Sequence, residues 1–75
     1  IEGMRFDVIL ANINRNIILE DLDAYVGSMN AEGLLLTSGY YAQDLPVIQE
    51  AAIGHGLKFV AHALKDNWCC ALFVR

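Results

Sequence analysis

Seventy-five residues, 56% hydrophobic and 19% charged, carry more apolar surface than so small a volume can bury alone. The predicted consequence is one part of a larger fold, with the surplus packed against a missing N-terminal half or another chain. A net charge of −4 with five scattered basic residues excludes the clustered Lys and Arg of a phosphate-binding surface, so no direct nucleic-acid contact is expected.

The chain opens on a run from Phe6 to Ala11 that leads into Asn12-Ile13-Asn14-Arg15-Asn16. Residues 8–11 show no polar alternation, the pattern of a strand covered on both faces. Asn14 or Asn16 suits the cap of a helix whose apolar positions are Ile18, Leu22, Tyr25, Val26 and Met29. Glu20, Asp21 and Asp23 fall outside that stripe and in the early turns, where the helix dipole favours negative charge. Residues 30–33 supply the stop.

Leu34-Leu35-Leu36-Thr37-Ser38 is a second apolar run, ending at Ser38-Gly39. Asp44 and Pro46 mark the next helix start, because proline is tolerated in a first turn. Its predicted inner face is Leu45, Ile48, Ala52 and Ile53, and Gly54-His55-Gly56 ends it. Residues 58–64 and 68–74 then read as strands, joined by Lys65-Asp66-Asn67. So short a connection requires an antiparallel hairpin.

The resulting order is strand, helix, strand, helix, strand, strand: an α/β fold whose first two strands are parallel through a right-handed crossover. The first strand is left with an open apolar edge, which native proteins cover. No apolar run approaches the length of a membrane span, and no secretory signal is read at the N-terminus. Cys69 and Cys70 are adjacent and point to opposite faces of an extended strand. They read as reduced thiols, in keeping with a cytoplasmic protein. His55 and His62 lack supporting ligand spacing, so no metal site is expected.

A sheet closing with two parallel strands and an antiparallel hairpin resembles the second half of the class I methyltransferase fold, a Rossmann-like sheet. The block Asp7-Val8-Ile9-Leu10-Ala11-Asn12-Ile13 sharpens this, with Asn16, Leu36-Thr37-Ser38-Gly39 and Asn67-Trp68-Cys69. Together they resemble, nearly end to end, the bacterial methyltransferases of large-subunit ribosomal protein L11. The resemblance implies S-adenosylmethionine as cofactor and methylation of amino groups, chiefly lysine ε-amines, on a ribosomal protein in the cytoplasm. The family's glycine-rich cofactor loop, its acidic ribose ligand and its substrate-recognition domain precede this stretch. Residues 1–75 are therefore expected to form the C-terminal half of a catalytic domain, inactive by itself.

The same resemblance assigns Asn12 as the catalytic residue, with Asn12 and Ile13 touching the cofactor. A carboxamide accepts from an amine N–H and donates through its NH₂, but it cannot titrate. Its role is to orient an amine for in-line transfer, and positioning is what such a reaction requires. Outside the resemblance, an asparagine after a strand reads as a turn or cap residue, and Asn16 is fully explained as a cap. Ile13 offers backbone groups or an apolar wall, or simple packing. Ser38 and Gly39 are expected to line the substrate pocket or to form a plain strand-to-loop turn, and Tyr40 and Tyr41 to shape that pocket's amine channel or to stand as an exposed loop pair. Trp68 is expected to pack in the hairpin.

Two rivals stand. Methyltransferases of glutamine side chains or adenine show Asn-Pro-Pro-aromatic at this strand end, whereas Asn12 is followed by Ile13-Asn14. A non-catalytic Rossmann-like binding module is the other.

Overall fold

A computed structural model describes residues 6–75. Its elements are β1 (Phe6–Asn12), α1 (Arg15–Ser28), β2 (Met29–Tyr41), α2 (Leu45–Gly54), β3 (Lys58–Lys65) and β4 (Trp68–Val74), with a 3-10 turn at Ala42–Asp44 before α2. The sheet runs in the order β1-β2-β4-β3. β1 is parallel to β2, and β4 lies antiparallel to both β2 and β3. The α/β class, the element order and the closing hairpin agree with the sequence reading.

Asn14 is the cap of α1: its backbone is extended, and its side-chain oxygen accepts from the Ile17 N–H at 3.1 Å. Asn16 is exposed and takes only a 3.4 Å contact from the Arg15 Nε. Ile18 and Leu22 are buried, and Tyr25 and Val26 pack against the core from its edge. The predicted stop at 30–33 is displaced. The helix ends at Ser28, and Met29 already pairs with Phe6 in the sheet. The ladder then slips between Phe6 and Val8, with Glu32 at φ 64. Gly33 takes this irregularity because a Cβ there would stand 2.9 Å from the Asn30 carbonyl oxygen. Tertiary pairing of an apolar β-strand has overridden local turn chemistry.

α2 carries Pro46 in its first turn, and the His55 N–H closes its last turn onto the Ala51 and Ala52 carbonyls. Leu45, Ile48 and Ala52 are buried as expected, but Ile53 is exposed. Ile53 follows Ala52 by one position, about 100° round the helix. Leu57, just past the end of α2, is buried as well.

Both helices lie against one face of the sheet. On that face Ala11 pairs with Thr37 and Leu35 with Phe73, and all four are buried. The opposite face is bare among the described residues. Val8 is 53% and Leu10 is 71% exposed, and Leu36 beside Leu10 is exposed too. Of the two covered faces expected for the first strand, the described residues supply the cover for one. β1 is also hydrogen-bonded to a strand on one side alone among the described residues. Among these residues, no helix is long and apolar enough to cross a membrane.

Candidate functional site

Asn12 ends β1 and Ser38 lies directly opposite it on β2. Parallel pairing thus brings both to the carboxyl edge, where open α/β sheets bind ligands. The Ser38 hydroxyl donates to the Asn12 carboxamide oxygen at 3.0 Å. A carboxamide oxygen has two lone pairs, so this bond leaves one of them, and the NH₂, for a ligand.

Gly39 explains how the side chain fits. The β2–β4 register slips between Ser38 and Tyr40, leaving Gly39 as the extra residue of a bulge, at φ 89. A Cβ at this position would stand 2.8 Å from the Asn12 carboxamide oxygen and 3.0 Å from the Ile13 nitrogen. Only glycine combines that backbone conformation with that close approach. Ile13 is partly buried against the core, and both its backbone nitrogen and its carbonyl oxygen lie beside Gly39.

The bulge also sets the fate of the two tyrosines. Tyr40 turns to the helix face, where it is 2% exposed and its hydroxyl lies 2.7 Å from the Thr37 hydroxyl. Burial pushes its phenol up to about 12, against a smaller opposing effect of the Thr37 hydrogen bond. Tyr40 therefore contributes only a mostly buried ring to the wall of a neighbouring cavity. Tyr41 is the exposed ring at this edge. It pairs across the sheet with Trp68, their centroids 4.7 Å apart and planes 22° from parallel. Trp68 is half exposed, which corrects the expectation that it packs within the hairpin. The sequence names both aromatics, but only the register brings them into contact.

Asn12, Ser38 and Gly39 line a cavity of about 510 Å³, closed on the hairpin side by Lys65, Trp68 and Cys70. A second cavity of about 350 Å³ adjoins it across Gly39 and Trp68, with Arg15, Tyr41 and Asp44 in its wall. The Arg15 guanidinium meets the Asp44 carboxylate at 3.2 Å, tying the start of α1 to the start of α2. The sequence reading missed this tie, because the two residues are 29 positions apart and no local pattern links them.

Cys69 is buried and Cys70 half-buried, and both are free thiols. Burial pushes the Cys69 thiol up, opposed in part by a hydrogen bond with Tyr40. It stays a protonated, unreactive thiol at neutral pH. His55 bonds the Ala51 carbonyl at 2.8 Å and approaches Asp23 at 3.6 Å, a structural tie between the two helices. Among the described residues, no group of His, Cys, Asp or Glu is arranged to hold a metal ion.

The family described as ribosomal protein L11 methyltransferase (PrmA) matches residues 1–75. The L11 methyltransferase of Bacteroides fragilis is 48% identical over 69 residues, which are 92% of this chain and 25% of that protein. That of Phocaeicola vulgatus matches equally well, and that of Staphylococcus aureus is 30% identical over 69 residues, covering 92% of this chain and 22% of its own length. The chain thus spans about a quarter of the length of the curated relatives it matches.

Among solved structures, the ribosomal protein L11 methylase of Lactobacillus delbrueckii subsp. bulgaricus superposes with a TM-score of 0.92 at 24% identity. The match covers 99% of this chain and 38% of that one. A Pyrococcus furiosus methyltransferase gives a TM-score of 0.75 at 20% identity, over 96% of this chain and 41% of its own. At these identities the two likenesses speak for the fold, a partial Rossmann-like methyltransferase sheet. With the family match running the full length of the sequence, the chain belongs to the ribosomal protein L11 methyltransferase family.

Proposed function

We propose that the protein carrying this chain transfers methyl groups from S-adenosylmethionine to amino groups, chiefly lysine ε-amines, of ribosomal protein L11. The observation that carries the reading is the Asn12 carboxamide, held by Ser38 at the carboxyl edge of a parallel pair and opening into a cavity. When bound, S-adenosylmethionine supplies an electrophilic methyl group. The residues present suit that reacting end: an uncharged carboxamide and the Ile13 backbone, both lying close against Gly39. Among the described residues neither strand-to-helix connection is glycine-rich, and we assign the clamp for the rest of the molecule to the remainder of the protein.

Asn12 accepts a hydrogen bond from the substrate amine and so aims its lone pair. The amine must arrive neutral, having given its proton to water, since an ammonium has no lone pair to donate. The bound cofactor would supply the methyl group to that lone pair and would itself keep the electron pair of the bond given up. The product ammonium then sheds a proton to solvent. No general base is needed in the chain, and Asn12 is not one. Its contribution is orientation, fixed in advance by Ser38.

We further infer that residues 1–75 form the C-terminal half of the catalytic domain, and that the missing N-terminal half or another chain covers the open β1 edge. The one-sided pairing of β1 among the described residues supports this. A cytoplasmic setting is supported by the two free thiols. The test is the full-length protein incubated with labelled S-adenosylmethionine and, separately, ribosomal protein L11, a release factor or nucleic acid. Label is expected in the ribosomal protein alone. Label in the release factor or nucleic acid instead would transfer the activity to another amine.

A further inference from the structure

We propose that the Tyr41–Trp68 stack is a binding subsite for the cationic side chain that carries the amine to Asn12, a proposal that rests on the amine-methylation reading above. Its position is the first argument. Trp68 borders both cavities, the one holding Asn12 and the one floored by Arg15 and Asp44. Along the strand ladders, Trp68 lies two residues from Cys70, which pairs with Ser38, which pairs with Asn12. Two residues along a strand keep the same face. The platform and the carboxamide therefore share the bare face of the sheet.

Exposure is the second argument. Trp68 is 52% and Tyr41 is 46% exposed, although each is large enough to anchor a core. Their stack fixes both rings before any ligand arrives, so little rotamer freedom is lost on binding. An aromatic face attracts an ammonium through the ring quadrupole, while the alkyl stem of the same side chain packs along the ring.

Charge is the third. Among the described residues, the charges lining the two cavities are Lys65, Arg15 and Asp44, and Asp44 is already paired with Arg15, so no free carboxylate is there to draw a cation against the repulsion of Lys65. The ring faces are thus the cation-attracting groups at the boundary. This also suits the chemistry. A carboxylate beside the amine would favour its protonated form and oppose the loss of the proton that transfer requires. A ring face holds the cation more weakly and needs no N–H, so it holds the side chain before and after methylation.

The test uses the full-length protein. Binding of a peptide carrying trimethyllysine is compared with the same peptide carrying norleucine, a neutral chain, by fluorescence titration of wild type. Steady-state kinetics with the lysine substrate are then compared for wild type, Trp68→Ala, Trp68→Phe and Tyr41→Ala. The expected result is preference for the cationic peptide, and in Trp68→Ala a KM for the amine substrate raised about fivefold or more. The KM for S-adenosylmethionine stays unchanged, and Trp68→Phe recovers most of the loss. Should Trp68→Ala fail to fold, the peptide preference of wild type and the Tyr41→Ala kinetics, in which the amine KM is expected to rise likewise, still decide. Equal binding of the two peptides, or an unchanged amine KM in a folded Trp68→Ala, overturns the subsite. A wild type that prefers the cationic peptide yet transfers no methyl to any amine keeps the subsite and removes the methylation reading instead.

Discussion

The Ser38 hydroxyl reaches across the parallel β1–β2 ladder to donate a 3.0 Å hydrogen bond to the carboxamide oxygen of Asn12. That single bond fixes which way the carboxamide faces, and so which of its groups meets a ligand. Removing it in Ser38→Ala costs one hydrogen bond, about 1 kcal/mol. In the full-length protein kcat is expected to fall about fivefold, with both KM values and the melting temperature nearly unchanged. A kcat equal to wild type would show that Asn12 keeps its orientation without Ser38.

Asn12 itself is expected to matter more. Asn12→Ala removes the orienting acceptor while leaving an exposed strand end intact. Methyl incorporation into ribosomal protein L11 should drop about a hundredfold, the order expected when a reacting group is misaligned. Near-normal turnover would take Asn12 out of the site.

Gly39→Ala tests the bulge. The new Cβ would be held at φ 89, 2.8 Å from the Asn12 carboxamide oxygen. Strain of about 1–3 kcal/mol is expected, seen as a lower denaturant midpoint, together with a kcat loss at least as large as that of Ser38→Ala. A variant as stable and as active as wild type would mean that the bulge relaxes freely.

Tyr40 predicts an alkaline weakness. Its phenol ionises near 10 when unfolded and at about 12 in the fold, because burial penalises the charged form. Its contribution to stability is therefore complete below pH 10 and is lost as pH rises from about 10 to about 12. Tyr40→Phe should remove this part of the alkaline loss, at a cost near neutrality of about 1 kcal/mol for the bond with Thr37. Parallel denaturation curves for the two proteins across that window would refute it.

The Arg15–Asp44 tie should contribute little to stability. Both side chains are partly exposed, and such pairs are worth about 0.2–1 kcal/mol. Asp44→Asn is expected to change the denaturant midpoint only slightly, and less at high salt than at low salt. A large, salt-independent loss would mean that the pair holds the two loops at the site together.

By itself, the sequence determined the order of strands and helices and the family. The apolar runs, Asn14, Pro46 and Gly54-His55-Gly56 are local signals, and local signals survive in a single chain read alone. The block ending in Asn12-Ile13 also marked the carboxyl end of the first strand. What the tertiary structure decided is non-local. The β2 register turned residues 30–33 from a stop into strand, and the bulge at Gly39 buried Tyr40 and exposed Tyr41. It brought Ser38 onto Asn12, Arg15 onto Asp44 and Trp68 onto Tyr41. Each of these depends on which residue faces which across a ladder or between loops. A slip of one position exchanges the two faces of a strand, and only the assembled sheet fixes that count.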